Sequence, residues 1–256
     1  MYILKSLVIA FSIYSKIPVP QFEWKEEDMR YMLCFFPWVG AVIGIGIYVW
    51  NFLCRRFLIG EICYTVIGAA IPLILTGGFH ADGFLDTMDA FHSYQPRERK
   101  LEILKDSHIG AFAVIMFAVY GLLYLGFFSE IRDERLLRIA CGGFFLARCL
   151  SGISVVSFPA AKKEGMLYLF ADRSQKKRVK ALLYVQGAGC ILFMLFQSVW
   201  GGVAIVAAAF GTFGWYYYRS KKELGGITGD TAGCFVLLCE AGMLAAAAAM
   251  DILFCR

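Results

Sequence analysis

The chain has 256 residues, 59% of them apolar, a mean hydropathy of +0.64 and a formal net charge of +5. That composition exceeds what a soluble core requires and excludes an ordinary water-soluble domain; it describes a protein held in a bilayer. Nine cysteines fall mostly inside apolar runs without a Cys-x-x-Cys pair, so neither structural zinc nor a disulfide framework is expected.

The first apolar stretch, YILKSLVIAFSIYS, reaches only about 21 Å as a helix, short of a hydrocarbon core of about 30 Å. It is expected to be interfacial or re-entrant. A cleaved signal peptide is disfavoured, because no small-residue cleavage site follows and Pro18 and Pro20 interrupt the chain. Seven spans are then predicted near 32–54, 61–79, 109–129, 137–158, 181–199, 201–218 and 232–254. Trp200 and Trp215 lie near segment ends, where an aromatic belt places them. The expected fold is all-α: a polytopic membrane helical bundle of about seven transmembrane helices plus the N-terminal interfacial or re-entrant helix, as one domain over 1–256. Lysines and arginines divide unevenly between the two sides of this scheme, 18 against 6, with Arg148 left inside a span. The positive-inside rule therefore puts the N-terminus and every long polar loop on the cytoplasmic side.

The stretch GGFHADGFLDTMDAFHS, residues 77–93, follows the second span. If it continues as a helix, Asp82, Asp86 and Asp89 stand at i, i+4 and i+7 on one face. Like charges so placed repel in a low dielectric unless a cation sits among them, and oxygen-only ligands with substrate phosphates are what Mg²⁺ favours. A solvated helix end and a cation pathway through a transporter are the competing readings. Further along, KDSHIG presents Lys105, Asp106, Ser107 and His108 at the entrance to the next span, where helix N–H groups welcome an anion. The preceding Arg97, Arg99 and Lys100 are expected to anchor lipid headgroups. LGGITGDTAG, residues 224–233, offers Gly225, Gly226, Thr228 and Asp230 as a phosphate cradle or as a turn with a helix cap. Arg148 and Glu240 lie deep in spans with opposite charge and either pair with each other or leave Arg148 for a phosphate.

With these residues placed, the chain resembles the cobalamin synthase family almost end to end. KIPVP, FFPWVGAVIG, GGFHADGFLDTMDAF, LEILKDSHIGAF and LGGITGDTAGCFVLLCE occur in the family's order. The most specific are the GGxHxDGxxDTxDxF pattern at 77–91 and the GGxTGD pattern at 225–230. Phe79, Ala81 and Phe84 replace aliphatic residues of the first pattern, and His108 stands where arginine is also common. The resemblance implies a Mg²⁺-dependent transferase of the bacterial cytoplasmic membrane, with its active site facing the cytoplasm. It would join adenosylcobinamide-GDP to α-ribazole or α-ribazole 5′-phosphate and release GMP. Asp82, Asp86 and Asp89 would hold the metal, His80 or Asp230 would take the proton of the attacking hydroxyl, and Lys105, Asp106, Ser107, His108, Arg148, Gly225, Gly226, Thr228 and Glu240 would contact substrate. The bilayer is the expected environment, no nucleic-acid partner is expected, and an oligomer is compatible with these features. A phosphotransferase of the CDP-alcohol type needs an Ala-Arg element after its first Asp-Gly; here Asp82-Gly83 is followed by Phe84-Leu85-Asp86. A transporter would distribute polar residues through the membrane depth and show repeat symmetry, and neither is present in the sequence.

Overall fold

The computed structural model describes residues 2–254; Met1, Cys255 and Arg256 lie outside the described residues. In chain order the helices are α1 (Tyr2–Tyr14), α2 (Met32–Phe57), α3 (Glu61–Thr76), α4 (Phe79–His92), α5 (Arg97–Ile103), α6 (Ala111–Glu130), α7 (Glu134–Ser157), α8 (Met166–Arg173), α9 (Lys176–Gln197), α10 (Val199–Leu224) and α11 (Gly229–Phe254), with one 3₁₀ turn at Glu26–Met29. Among the described residues the only extended pairing is a single parallel bridge between Ala160 and Ile227. Six helices, α2, α6, α7, α9, α10 and α11, are long and apolar enough to cross a membrane.

The seventh expected span takes a different form. α3 and α4 together pass the same test, but they are bent by 93° at the break between them. Residues 61–79 are therefore not one straight span: α3 ends at Thr76, and its 16 residues rise only about 24 Å. The cause is local. Gly77 and Gly78 have φ of +62° and +77°, the left-handed region that only glycine enters cheaply, so the helix stops and restarts in a new direction. The helix carrying the aspartates thus turns sharply off the axis of α3.

α7 and α11 form the centre. α7 packs along α2, α9 and α11, while α11 also lies against α4, α6 and α10. Between them Arg148 Nη1 donates to Glu240 Oε1 at 2.6 Å and to the Phe144 carbonyl at 2.9 Å, with the two side chains only 1% and 4% exposed. Of the two expected alternatives for this pair, the structure adopts mutual pairing. Both charges are removed from solvent, so each depends on the other for neutralisation.

Polar contacts sort the connections into two ends. At one end Lys16 N–H donates to the Leu75 carbonyl, Gln175 N–H to the Arg30 carbonyl, Lys162 Nζ to the Leu101 carbonyl, and Lys105 pairs with Glu164. At the other, Arg132 pairs with Glu61 and Arg55 with Glu134, while the buried Asp251 carboxylate accepts from the Arg132 and Asp133 N–H groups at 2.7 Å each. All the polar motifs read from the sequence lie at the first end. Lys100 does not serve as a lipid anchor there: it is buried and paired with Glu223, tying α5 to α10, whereas Arg99 stays at the surface with Glu102.

Replacing Glu240 with Leu leaves the Arg148 guanidinium buried and unpaired, which costs about 3–5 kcal/mol. Thermal unfolding in detergent is expected to show that loss for Glu240→Leu and substantial recovery in the Arg148→Leu, Glu240→Leu double variant.

Candidate active site

α4 is one continuous helix, so Asp82, Asp86 and Asp89 do share a face. α4 is held against the start of α11 by a close backbone approach. A Cβ on Gly83 would stand 2.8 Å from the Asp230 carbonyl oxygen, and one on Gly233 would meet the His80 backbone at 3.4 Å. This crossing brings the GGFHADGF and GITGD segments together, so that Asp82 and Asp230 border one cavity.

The third aspartate is differently engaged. The Asp89 carboxylate accepts from the backbone N–H groups of Gly110 and Ala113, the latter at 3.0 Å, at the first turn of α6. It therefore supplies the cap that Gly110, the residue at the N-cap position, lacks. Ser107 and His108, expected at this helix entrance, lie outside it in an exposed turn. There Asp106 Oδ1 accepts from the His108 N–H at 3.0 Å and sits 2.6 Å from His108 Nδ1, and these bonds, the backbone one first, hold the Asp106 carboxyl below its ordinary range.

Three cavities meet in this region. An inner one of about 130 Å³ is bordered by His80, Asp82 and Asp230 together with aromatic side chains from α1, α2, α4 and α8. An outer one of about 410 Å³ is bordered by Lys105, Lys162, Glu164, Thr228 and Asp230. Asp230 and Gly229 line both. A third, of about 220 Å³, lies between α3 and α6 and holds Arg148 and Glu240; His80 borders it and the inner cavity alike. The structure thus gathers His80, Asp82, Asp230, Thr228 and Lys105 around adjoining spaces, with Asp86 one helical turn past Asp82 on α4, and leaves Arg148 and Glu240 beyond His80.

The glycine-rich loop has a structural part of its own. Gly225, at φ +75°, ends α10, and Gly226 lies against the backbone of Pro159 to Ala161, where Ile227 N–H donates to the Pro159 carbonyl and Ala161 N–H to the Ile227 carbonyl. Thr228 and Thr231 cap α11 reciprocally: Thr228 N–H donates to Thr231 Oγ1 at 2.9 Å and Thr231 N–H to Thr228 Oγ1 at 3.2 Å. Thr228 Oγ1 also reaches Asp230 Oδ2 at 3.4 Å, which fixes the carboxylate at the cavity mouth.

Lys162 has no distinguishing mark in the sequence, where it is one of seven basic residues between 159 and 180. It lines the outer cavity, and burial followed by the Lys105 charge holds its ammonium below the ordinary lysine range, against the pull of Asp230 and Glu164. Two lysines and the N-terminus of a long helix facing one space make it suited to phosphate. Among the described residues no three His, Cys, Asp or Glu side chains converge as a ready-made metal site. The donors that do face the cavities are carboxylates, and Mg²⁺ binds through one or two of these with substrate phosphates and water completing the shell. Asp82 and Asp230 fit such an open site, with Asp86 on the same face of α4; Asp89, occupied by the start of α6, fits it less well.

Comparison with known proteins gives the same direction. The family model described as cobalamin-5-phosphate synthase matches residues 6–248. The chain belongs to that family. A relative from Lachnoclostridium phytofermentans named adenosylcobinamide-GDP ribazoletransferase is 43% identical over 93% of this chain and 90% of its own length. Proteins of the same name from Listeria monocytogenes and Clostridium perfringens are 32% identical over 90% of this chain and 92% of their own, and 30% identical over 92% and 94%. No solved structure matches.

Asp89 gives a test of cap against ligand within this family. Asp89→Ala is expected to lower stability by about 1–2 kcal/mol, read from thermal unfolding in detergent.

Proposed function

We propose that this protein is an adenosylcobinamide-GDP ribazoletransferase, joining adenosylcobinamide-GDP to α-ribazole or α-ribazole 5′-phosphate with release of GMP. Family membership supports the reaction. The observation that carries the site is that Asp82 and Asp230 border one cavity, which Asp230 joins to the lysine-lined outer one.

In this reading a ribose hydroxyl of the acceptor attacks the phosphorus attached to cobinamide. A new P–O bond forms, the bond to the GMP oxygen breaks, and the hydroxyl proton passes to a carboxylate. We assign that role to Asp230, which borders both cavities and accepts from Thr228 Oγ1 at 3.4 Å. His80, also a candidate base, is 3% exposed and borders only the inner two cavities. Asp82 and Asp86 would hold Mg²⁺, which when bound neutralises diphosphate charge and favours departure of the GMP oxygen. Lys105 and Lys162 bind phosphate oxygens in the outer cavity and orient the diphosphate for attack in line.

The basic residues at the loop-rich end favour the cytoplasmic side, so nucleotide and metal reach the site without crossing the bilayer. The protein itself is multi-pass, with six to seven helices able to span.

Purified protein in detergent is expected to release GMP from adenosylcobinamide-GDP only when α-ribazole 5′-phosphate and Mg²⁺ are both present, and EDTA should stop the reaction. Asp82→Ala and Asp86→Ala should each slow turnover by about a hundredfold or more in folded protein, on the scale of losing an electrostatic group at a transferring phosphoryl. Wild-type rates in both variants would remove the carboxylates from the mechanism. Lys162→Met should raise KM for one or both substrates about tenfold, the size of a lost charge-assisted contact.

A further inference from the structure

The inner cavity contains more than the reaction requires at its mouth. Four rings, those of Tyr14, Phe36, Phe79 and His80, pack around it with centroid separations of 4.2 to 6.0 Å. Phe170 of α8 and Asp82 border the same space, and Asp230 is shared with the outer cavity. His80 is 3% exposed, and neither of its ring nitrogens has a hydrogen-bond partner among the described residues. A buried imidazole with both nitrogens free is costly unless a ligand or water meets it.

We propose that this aromatic cavity binds the planar heterocyclic base of the acceptor nucleoside, with a His80 ring N–H donating to the base's free ring nitrogen. The proposal rests on the transferase reading above. The size of the cavity, about 130 Å³, is below the roughly 300–1,000 Å³ of sites that enclose a whole drug-sized ligand, so it takes a ring system and leaves sugar and phosphate outside. The sugar then lies at Asp82 and Asp230, where its hydroxyl must be for attack. Its 5′-phosphate then points out of the aromatic cavity, beside the donor diphosphate held by Lys105 and Lys162.

The polarity of the walls selects among the rings in the two substrates. Guanine carries donors and acceptors along two edges, whereas the polar side chains around the cavity besides the two reaction-centre aspartates are Tyr14, His80 and Ser151, too few to pair most of those groups. A benzimidazole-type base is apolar over its carbocyclic part and offers one acceptor, which one imidazole N–H satisfies. The cavity therefore belongs to the acceptor and excludes the guanine of the donor. It also gives a role to the N-terminal arm: Tyr14 closes α1 onto Phe36, so α1 and the start of α2 build the base pocket.

Three readouts test this in detergent-solubilised full-length protein. Val155 is buried in the cavity wall, and Val155→Phe fills the space; the acceptor KM should rise about tenfold or more while the KM for adenosylcobinamide-GDP stays within about twofold. His80→Phe keeps the ring and removes its nitrogens; the acceptor KM should again rise about tenfold with turnover nearly unchanged. A hundredfold or greater loss of turnover with the acceptor KM unchanged would make His80 the general base and overturn the proposal. Should either variant misfold, wild-type protein suffices: free benzimidazole should inhibit competitively against α-ribazole 5′-phosphate and noncompetitively against the donor. Competition against adenosylcobinamide-GDP alone would place the donor in the cavity and overturn the assignment. An inactive wild-type protein would instead sink the transferase reading, whereas active wild-type protein with unshifted acceptor KM in the variants sinks the pocket alone.

Discussion

The crossing of α4 over the N-terminal turn of α11 is the constraint on which the rest depends. Gly83 rests against the backbone of Asp230, and Gly233 against that of His80. A side chain at Gly83 would push the helices apart, and Asp82 and Asp230 would no longer border one cavity. The sharp turn at Gly77 and Gly78 makes this crossing available, because a straight continuation of α3 would carry Asp82 along the bundle instead of across its end. Backbone geometry at four glycines thus decides where four carboxylates stand.

Those carboxylates then divide their work. The same helical face that gathers Asp82 and Asp86 beside Asp230 turns Asp89 to the amides of α6, so one motif contributes both to the cavity and to the start of the next helix. The device recurs at the opposite end, where Asp251 and Asp133 satisfy the first N–H groups around α7. Carboxylates finishing helix termini suit a bundle in which water has little access to the ends of the helices.

Hydropathy finds six of the seven spans as straight helices, because a bilayer demands long apolar helices and little else can satisfy the backbone there. The register of the aspartates is equally legible, since 3.6-residue periodicity alone puts them on one face. What periodicity lacks is the partner of each group. Asp89 has the spacing of a ligand and the contacts of a cap, and Lys100 has the flanks of a lipid anchor and the burial of an interhelix lock with Glu223. Lys162 is invisible within its basic run, because its distinction is proximity to Asp230, 68 positions later in the chain. Two adjacent glycines ending an apolar run are a local signal for the 93° turn, but its direction is a tertiary fact.

The buried pair of Arg148 and Glu240 also has a temporal side. Its members are 92 residues apart, and Glu240 belongs to the last helix. At ribosomal rates of about 5–20 residues per second, the guanidinium is made on the order of 5–20 s before its counter-charge exists. During that interval α7 carries an unneutralised cation in a segment otherwise suited to lipid, and arrival of α11 ends this state while closing Asp230 onto α4. Neutralisation of the nascent bundle and completion of the reaction centre are therefore one event in biosynthesis, and a chain released before its final helix has neither.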